Sequence, residues 1–303
     1  MQLLLKSLVL FLGLAAASPA LAFSYSCADW KDPVFRADFW KEATRAIIAD
    51  CVQDMGFAMG FSVKDRDDGG ATPLHHAAAF ATNPDVIIAL VEAGADVNAR
   101  TEIGTTPMHR AAARNSNPDV ITAMIKAGAD VNARNVDGFT PLHLAAQINS
   151  NPDVISALIE AGADVNARNE GGMLPLHFAA WLNSNPDVIS ALIKGGADVN
   201  AGDEDGNTPL YWAASSTFSS PDVIIALLQA GADVNARNED GNTPLHTAAI
   251  FASNPDVISG LLEAGADGSM RNREGKTPFD IAKDNYVIKN TDAYWALNDA
   301  RFK

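Results

Sequence analysis

NVDGFTPLHLAAQINSNPDVISALIEAGADVNAR, residues 135–168, decides the fold, because the chain contains it again and again. Its Thr140-Pro141-Leu142-His143 returns as Thr72-Pro73-Leu74-His75, Thr106-Pro107-Met108-His109 and Leu174-Pro175-Leu176-His177. Further copies read Thr208-Pro209-Leu210-Tyr211, Thr243-Pro244-Leu245-His246 and Thr277-Pro278-Phe279-Asp280. Successive copies lie 34 residues apart, with one interval of 35 between Thr208 and Thr243. A fixed period of this size marks a stack of small units, none of which can bury its apolar face alone. Such a stack grows in one direction and has no single globular core.

Each unit can be read from its chemistry. Thr140 suits a helix N-cap, and Pro141 suits the first turn, where a missing N–H costs nothing. A short helix over 142–148 follows, in which Ala145 and Ala146 let a neighbour approach closely. Asn149 and Ser150 form a polar loop. Asn151-Pro152-Asp153 then opens a second helix with a cap, a proline and an acid at the positive helix end. Its apolar stripe is Val154, Ile155, Leu158 and Ile159, and Gly162 is placed to end it in a left-handed conformation. Residues 163–168 run extended, and Asp137-Gly138 supplies the turn chemistry of the connection.

Turn, helix, loop, helix and extended return resemble the ankyrin repeat. Its Thr-Pro-Leu-His-x-Ala-Ala hallmark stands here nearly verbatim, and Gly-Ala-Asp-Val-Asn-Ala recurs from Gly94, Gly128, Gly162, Gly196 and Gly231. The resemblance spans about residues 39–303 and implies an all-α solenoid, a curved stack of helix-loop-helix units with short β-hairpin-like connections. The Asn-Ser-Asn-Pro loop departs from the family pattern by lengthening its usual period. The organisation expected is a signal peptide over 1–22, an irregular segment over 23–38 and a capping half-repeat over 39–68. About six regular units follow over 69–276, then a C-terminal cap over 277–303, with Tyr294 and Trp295 closing the stack.

In residues 1–22 Lys6 precedes an apolar run and the segment closes on Ala20-Leu21-Ala22, a secretory signal with a small-residue cleavage site. Phe23 after that point is not a lipoprotein cysteine. The run is short for a membrane span and no other segment qualifies. Export predicts a periplasmic protein, with secretion as the alternative. In that compartment the two cysteines, Cys27 and Cys51, are expected to pair as a disulfide. They form no Cys-x-x-Cys redox pair.

Acidic residues number 37 against 22 basic ones, a formal charge of −15. Nucleic acids and anionic membranes attract basic surfaces, so neither is an expected partner. The surplus is first of all a solvated surface; a protein partner with a basic face is the second reading. A monomer is expected.

Catalytic chemistry finds little to stand on. Five of the six histidines, His75, His109, His143, His177 and His246, hold the same place in the repeat. The family resemblance implies that they bond the backbone of neighbouring turns. Units a helix diameter apart place them too far from one another to share a zinc ion. His76 is the one left over. There is no nucleophile elbow, phosphate loop or zinc helix motif. The acidic stretches at Asp65-Arg66-Asp67-Asp68 and Asp203-Glu204-Asp205 lack the spacing and glutamate of a calcium loop. No cofactor, metal or enzyme activity is expected.

The resemblance implies that partners meet the turn tips and the exposed side of the first helix. Ahead of the Thr-Pro position stand Phe139 and Met173; after Ala-Ala stand Gln147-Ile148 and Trp181-Leu182. These six, with acidic Glu170, Asp203, Glu204 and Asp205 around them, form the candidate partner-binding set. Ile148 and Leu182, like Phe80 and Phe251, also read as packing beneath the lengthened loop. Phe139, Met173 and Trp181 therefore carry the binding expectation.

Overall fold

The computed structural model describes residues 36–44, 48, 62–217 and 220–302. The signal segment, Cys27, Cys51 and most of the half-repeat lie outside these residues. Among the described residues there are helices and turns and no strand. Helix α1 (Arg36–Glu42) begins ahead of the expected start at 39 and buries Trp40. The paired helices follow: α2 (Pro73–Phe80) with α3 (Asp85–Glu92), α4 (Pro107–Arg114) with α5 (Pro118–Lys126), and α6 (Pro141–Ile148) with α7 (Pro152–Glu160). Then come α8 (Pro175–Leu182) with α9 (Pro186–Lys194), α10 (Pro209–Ser215) with α11 (Pro221–Gln229), and α12 (Pro244–Phe251) with α13 (Pro255–Glu263). The last pair is α14 (Pro278–Ala282) and α15 (Asp292–Ala300).

First helices pack on first helices and second on second, so one layer is α2, α4, α6, α8, α10, α12, α14 and the other runs α3 to α15. The first helices α2 to α12 each contribute a fully buried apolar side chain at one register: Leu74, Met108, Leu142, Leu176, Leu210 and Leu245. Val154, Ile155 and Leu158 of α7 are likewise sealed, which accounts for the stripe on the second helix. At the last pair, Leu297 and Ile288 are buried and Phe279 packs on Tyr294 with ring centroids 4.9 Å apart, while Trp295 stays half exposed.

Numbering units from the first residue of each hairpin gives unit I, 67–100; II, 101–134; III, 135–168; IV, 169–202; V, 203–237; VI, 238–271; and VII from 272. Asn135 closes its hairpin by accepting at Oδ1 from the amides of Asp137 and Phe139, at 3.1 and 2.9 Å. Hairpins are bonded in turn to one another, as when the Glu170 N–H donates to the Asp137 carbonyl at 3.1 Å. Gly138, at φ +77°, sits at that approach: a Cβ there would stand 3.0 Å from the Glu170 nitrogen. Only glycine combines that dihedral with that clearance.

The lengthened loop now has a physical reason. Asn149 Nδ2 reaches back to the carbonyls of Ala112 and Asn115, both at 2.9 Å, and Asn151 Nδ2 to Ser116 at 2.7 Å. Asn183 and Asn185 repeat this one unit on. Asn-Ser-Asn-Pro thus caps its own second helix and satisfies the loop carbonyls of the unit before it.

Candidate binding surface

The repeated histidines are set by their hydrogen bonds. His143 Nε2 meets the Met173 carbonyl of the next unit at 3.1 Å, and its Nδ1 receives the Thr140 N–H at 3.1 Å, with Thr140 Oγ1 at 2.9 Å. A carbonyl only accepts, so Nε2 carries the hydrogen; the amide only donates, so Nδ1 is bare. The ring is therefore neutral. Burial is the main cause that pushes His143 and His75 down to about 4, and it lowers His109, His177 and His246 as well. These five rings span units and leave no open chemistry. In unit VII, Asp280 takes the histidine's place, accepting the Thr277 N–H at 3.2 Å where no further unit is described to be reached.

Aromatic side chains gather where units III, IV and V meet. Phe139, in the hairpin of III, lies 4.9 Å from Phe178 of α8 between ring centroids and 5.6 Å from His143. Three residues along α8, on the same helix face, Trp181 lies 4.8 Å from Trp212 of α10. Tyr211 stands edge-on to Trp212 at 6.3 Å. The strip is thus Phe139 and Phe178, then Trp181, Trp212 and Tyr211. Phe178 is buried; the other four are half-buried.

Asp203 anchors the strip to a hairpin. Its Oδ1 accepts the amides of Asp205 and Asn207 at 3.0 and 2.8 Å; its Oδ2 accepts Trp212 Nε1 at 2.9 Å. Asp67 does the same in unit I, accepting two amides at Oδ1 and meeting His76 Nε2 at 2.9 Å with Oδ2. Where the hairpin asparagine is exchanged for aspartate, the spare oxygen therefore holds the side chain that follows the repeat histidine position.

The other candidate residues divide by exposure. Glu170, Glu204 and Asp205 point from the hairpin tips into solvent, and Ile148 is 56% exposed. Met173, Gln147 and Leu182 are half-buried. Phe178, Tyr211 and Trp212 were absent from the expected set. One pattern held Phe178 and Trp212: the position after the repeat histidine reads His76, Arg110, Leu144, Phe178, Trp212, Thr247 and Ile281, as variable as any tip, while Tyr211 stands at the histidine position itself. Among the described residues no group of His, Cys, Asp or Glu is arranged to hold a metal ion, and no helix is long and apolar enough to cross a membrane.

Family models of ankyrin repeats match residues 83–169, 149–238 and 227–282. This chain belongs to the ankyrin-repeat family. Among solved structures, the human ASB11 ankyrin repeat domain is similar at a TM-score of 0.64 and 28% identity, over 76% of this chain and 98% of that one. No curated protein matches it. As a stack of ankyrin repeats, the chain is a protein–protein interaction scaffold.

Proposed function

We propose that this ankyrin protein is an exported, non-catalytic adaptor that holds one protein partner against the aromatic strip of units III to V. Trp181 carries the reading. At its position sister units place Ala79, Ala113, Gln147, Ser215 and Ile250, so stacking does not require an indole there. A half-buried tryptophan touching a second one, beside exposed acids, has the composition of an interface hot spot. The signal-like residues 1–22 support export to a periplasm or beyond the cell.

Capture from the exporting cell, followed by mass spectrometry, tests this. Trp181→Ala is expected to abolish capture of the partner and to leave the urea midpoint nearly unchanged. Retained capture, or a large loss of stability, defeats the reading. A single enzyme recovered in equal amount makes the adaptor an inhibitor or a chaperone-like accessory; host proteins make it an effector. Phe139→Ala is the poorer probe, because Phe139 packs against Phe178 and His143. It is expected to cost about 1–2 kcal/mol in the same melt.

A further inference from the structure

Unit V differs in charge from the units on both sides of it at the hairpin that holds Trp212. The hairpins of units IV and VI are entered through Arg168-Asn169 and Arg237-Asn238, that of unit V through Gly202-Asp203. One cation is removed and one anion added, a change of two negative charges at one spot. The cations nearby in sequence are bonded to backbone: Arg168 Nη1 donates to the carbonyls of Gly172 and Gly202, and Arg237 Nη2 to that of Arg271. Five carboxylates, Glu170, Glu204, Asp205, Glu239 and Asp240, are exposed on hairpin tips bonded one to the next through Glu204 N–H to Gly171 and Glu239 N–H to Asp205.

The tryptophans complete the argument. An indole face attracts cations more strongly than any other side-chain ring. The Asp203 carboxylate bound at Trp212 Nε1 pushes electron density into that ring and deepens the attraction. We propose that Trp181 and Trp212 seat a cationic side chain, arginine before lysine, from an extended basic segment of a protein partner, with the tip carboxylates holding the flanking charges. Guanidinium is favoured because its plane stacks on a ring and its hydration is weak. This rests on the strip being the binding surface.

The probe is an unstructured peptide with several arginines spaced by glycine and serine, beside its lysine and glutamate counterparts. Each is titrated calorimetrically into the full chain. The arginine peptide is expected to bind, the lysine peptide several-fold more weakly and the glutamate peptide not at all. Trp181→Leu should weaken the arginine peptide about ten-fold. Glu204→Gln with Asp205→Asn should weaken it and flatten its salt dependence. Arginine binding that ignores Trp181→Leu, or equal binding of the glutamate peptide, overturns the proposal. If the cellular partner is lost on Trp181→Ala yet is indifferent to salt and to the neutralised tips, the strip stands and the cationic seat falls. If the partner survives Trp181→Ala, the strip itself falls.

Discussion

Between about pH 7 and pH 4 the stack is expected to lose several kcal/mol of stability. Each repeat histidine is held neutral in the fold by an amide donating to Nδ1 and a carbonyl accepting from Nε2. Its folded pKa lies below the unfolded value of 6.5, so the unfolded chain takes up the proton first. The stabilisation is therefore complete above 6.5 and drains as pH falls towards the folded value. For His75 and His143, lowered to about 4, that window amounts to roughly 3 kcal/mol each at 1.36 kcal/mol per unit. His109, His177 and His246 add to it with the same sign. Asp280, lowered to about 2 mainly by its bond to Lys283, acts in a separate window below 3.8. Urea midpoints measured across the range should fall steadily from 6.5 downward. His75→Gln with His143→Gln should give a shallower slope. A midpoint flat from pH 7 to pH 4.5 would show that the imidazoles are not the groups that matter.

The fold was legible because its period is written in the sequence seven times over, and each unit repeats the same caps, turns and apolar register. His143 could be assigned a structural role because the family resemblance implies one for the place that it shares with four other histidines. The strip was legible only in part. Trp181 and Phe139 stood out as odd residues at tolerant positions, but what they touch lies in another unit. Phe178 and Trp212 are counterparts one period apart, and each packs on a residue of the unit before its own. A reading made within one unit cannot show this. Asp203 illustrates the same limit: in sequence it is one more tip acid beside Glu204 and Asp205, yet its two oxygens close the hairpin and grip Trp212.

The joint between units V and VI is expected to open first, so that 238–302 unfolds as a block weaker than the units before it. Between III and IV, His143 reaches Met173, Asn183 reaches Ala146 and Asn149, and Asn185 reaches Ser150. Between V and VI the first two of these bridges have lost their side chains. Tyr211 replaces the histidine and Ala252 the loop asparagine. Gly260 adds a missing methyl where other second helices carry Ala123, Ala157, Ala191 or Ala226, and a groove lined by Ile225, Val257 and Gly260 runs there. Among the described residues, the polar bridges present are the Glu239 N–H to Asp205, Asn238 to Asn207, Arg237 to the Arg271 carbonyl, and the Asn235 link to Gly265 and Asp267. Three absent hydrogen bonds, one from the histidine and two from the loop asparagine, at about 1 kcal/mol each weaken this coupling by about 3 kcal/mol, and in a stack such nearest-neighbour couplings decide where it breaks. Native-state hydrogen exchange should show amides of α12 to α15 opening at lower free energy than those of α4 to α8. Tyr211→His restores a donor to the Asn242 carbonyl and an acceptor for Thr208, and should raise the opening free energy of that block by about 1–2 kcal/mol. Uniform opening along the whole stack, with Tyr211→His neutral, would mean that apolar packing alone sets the joint and the polar ladders do not.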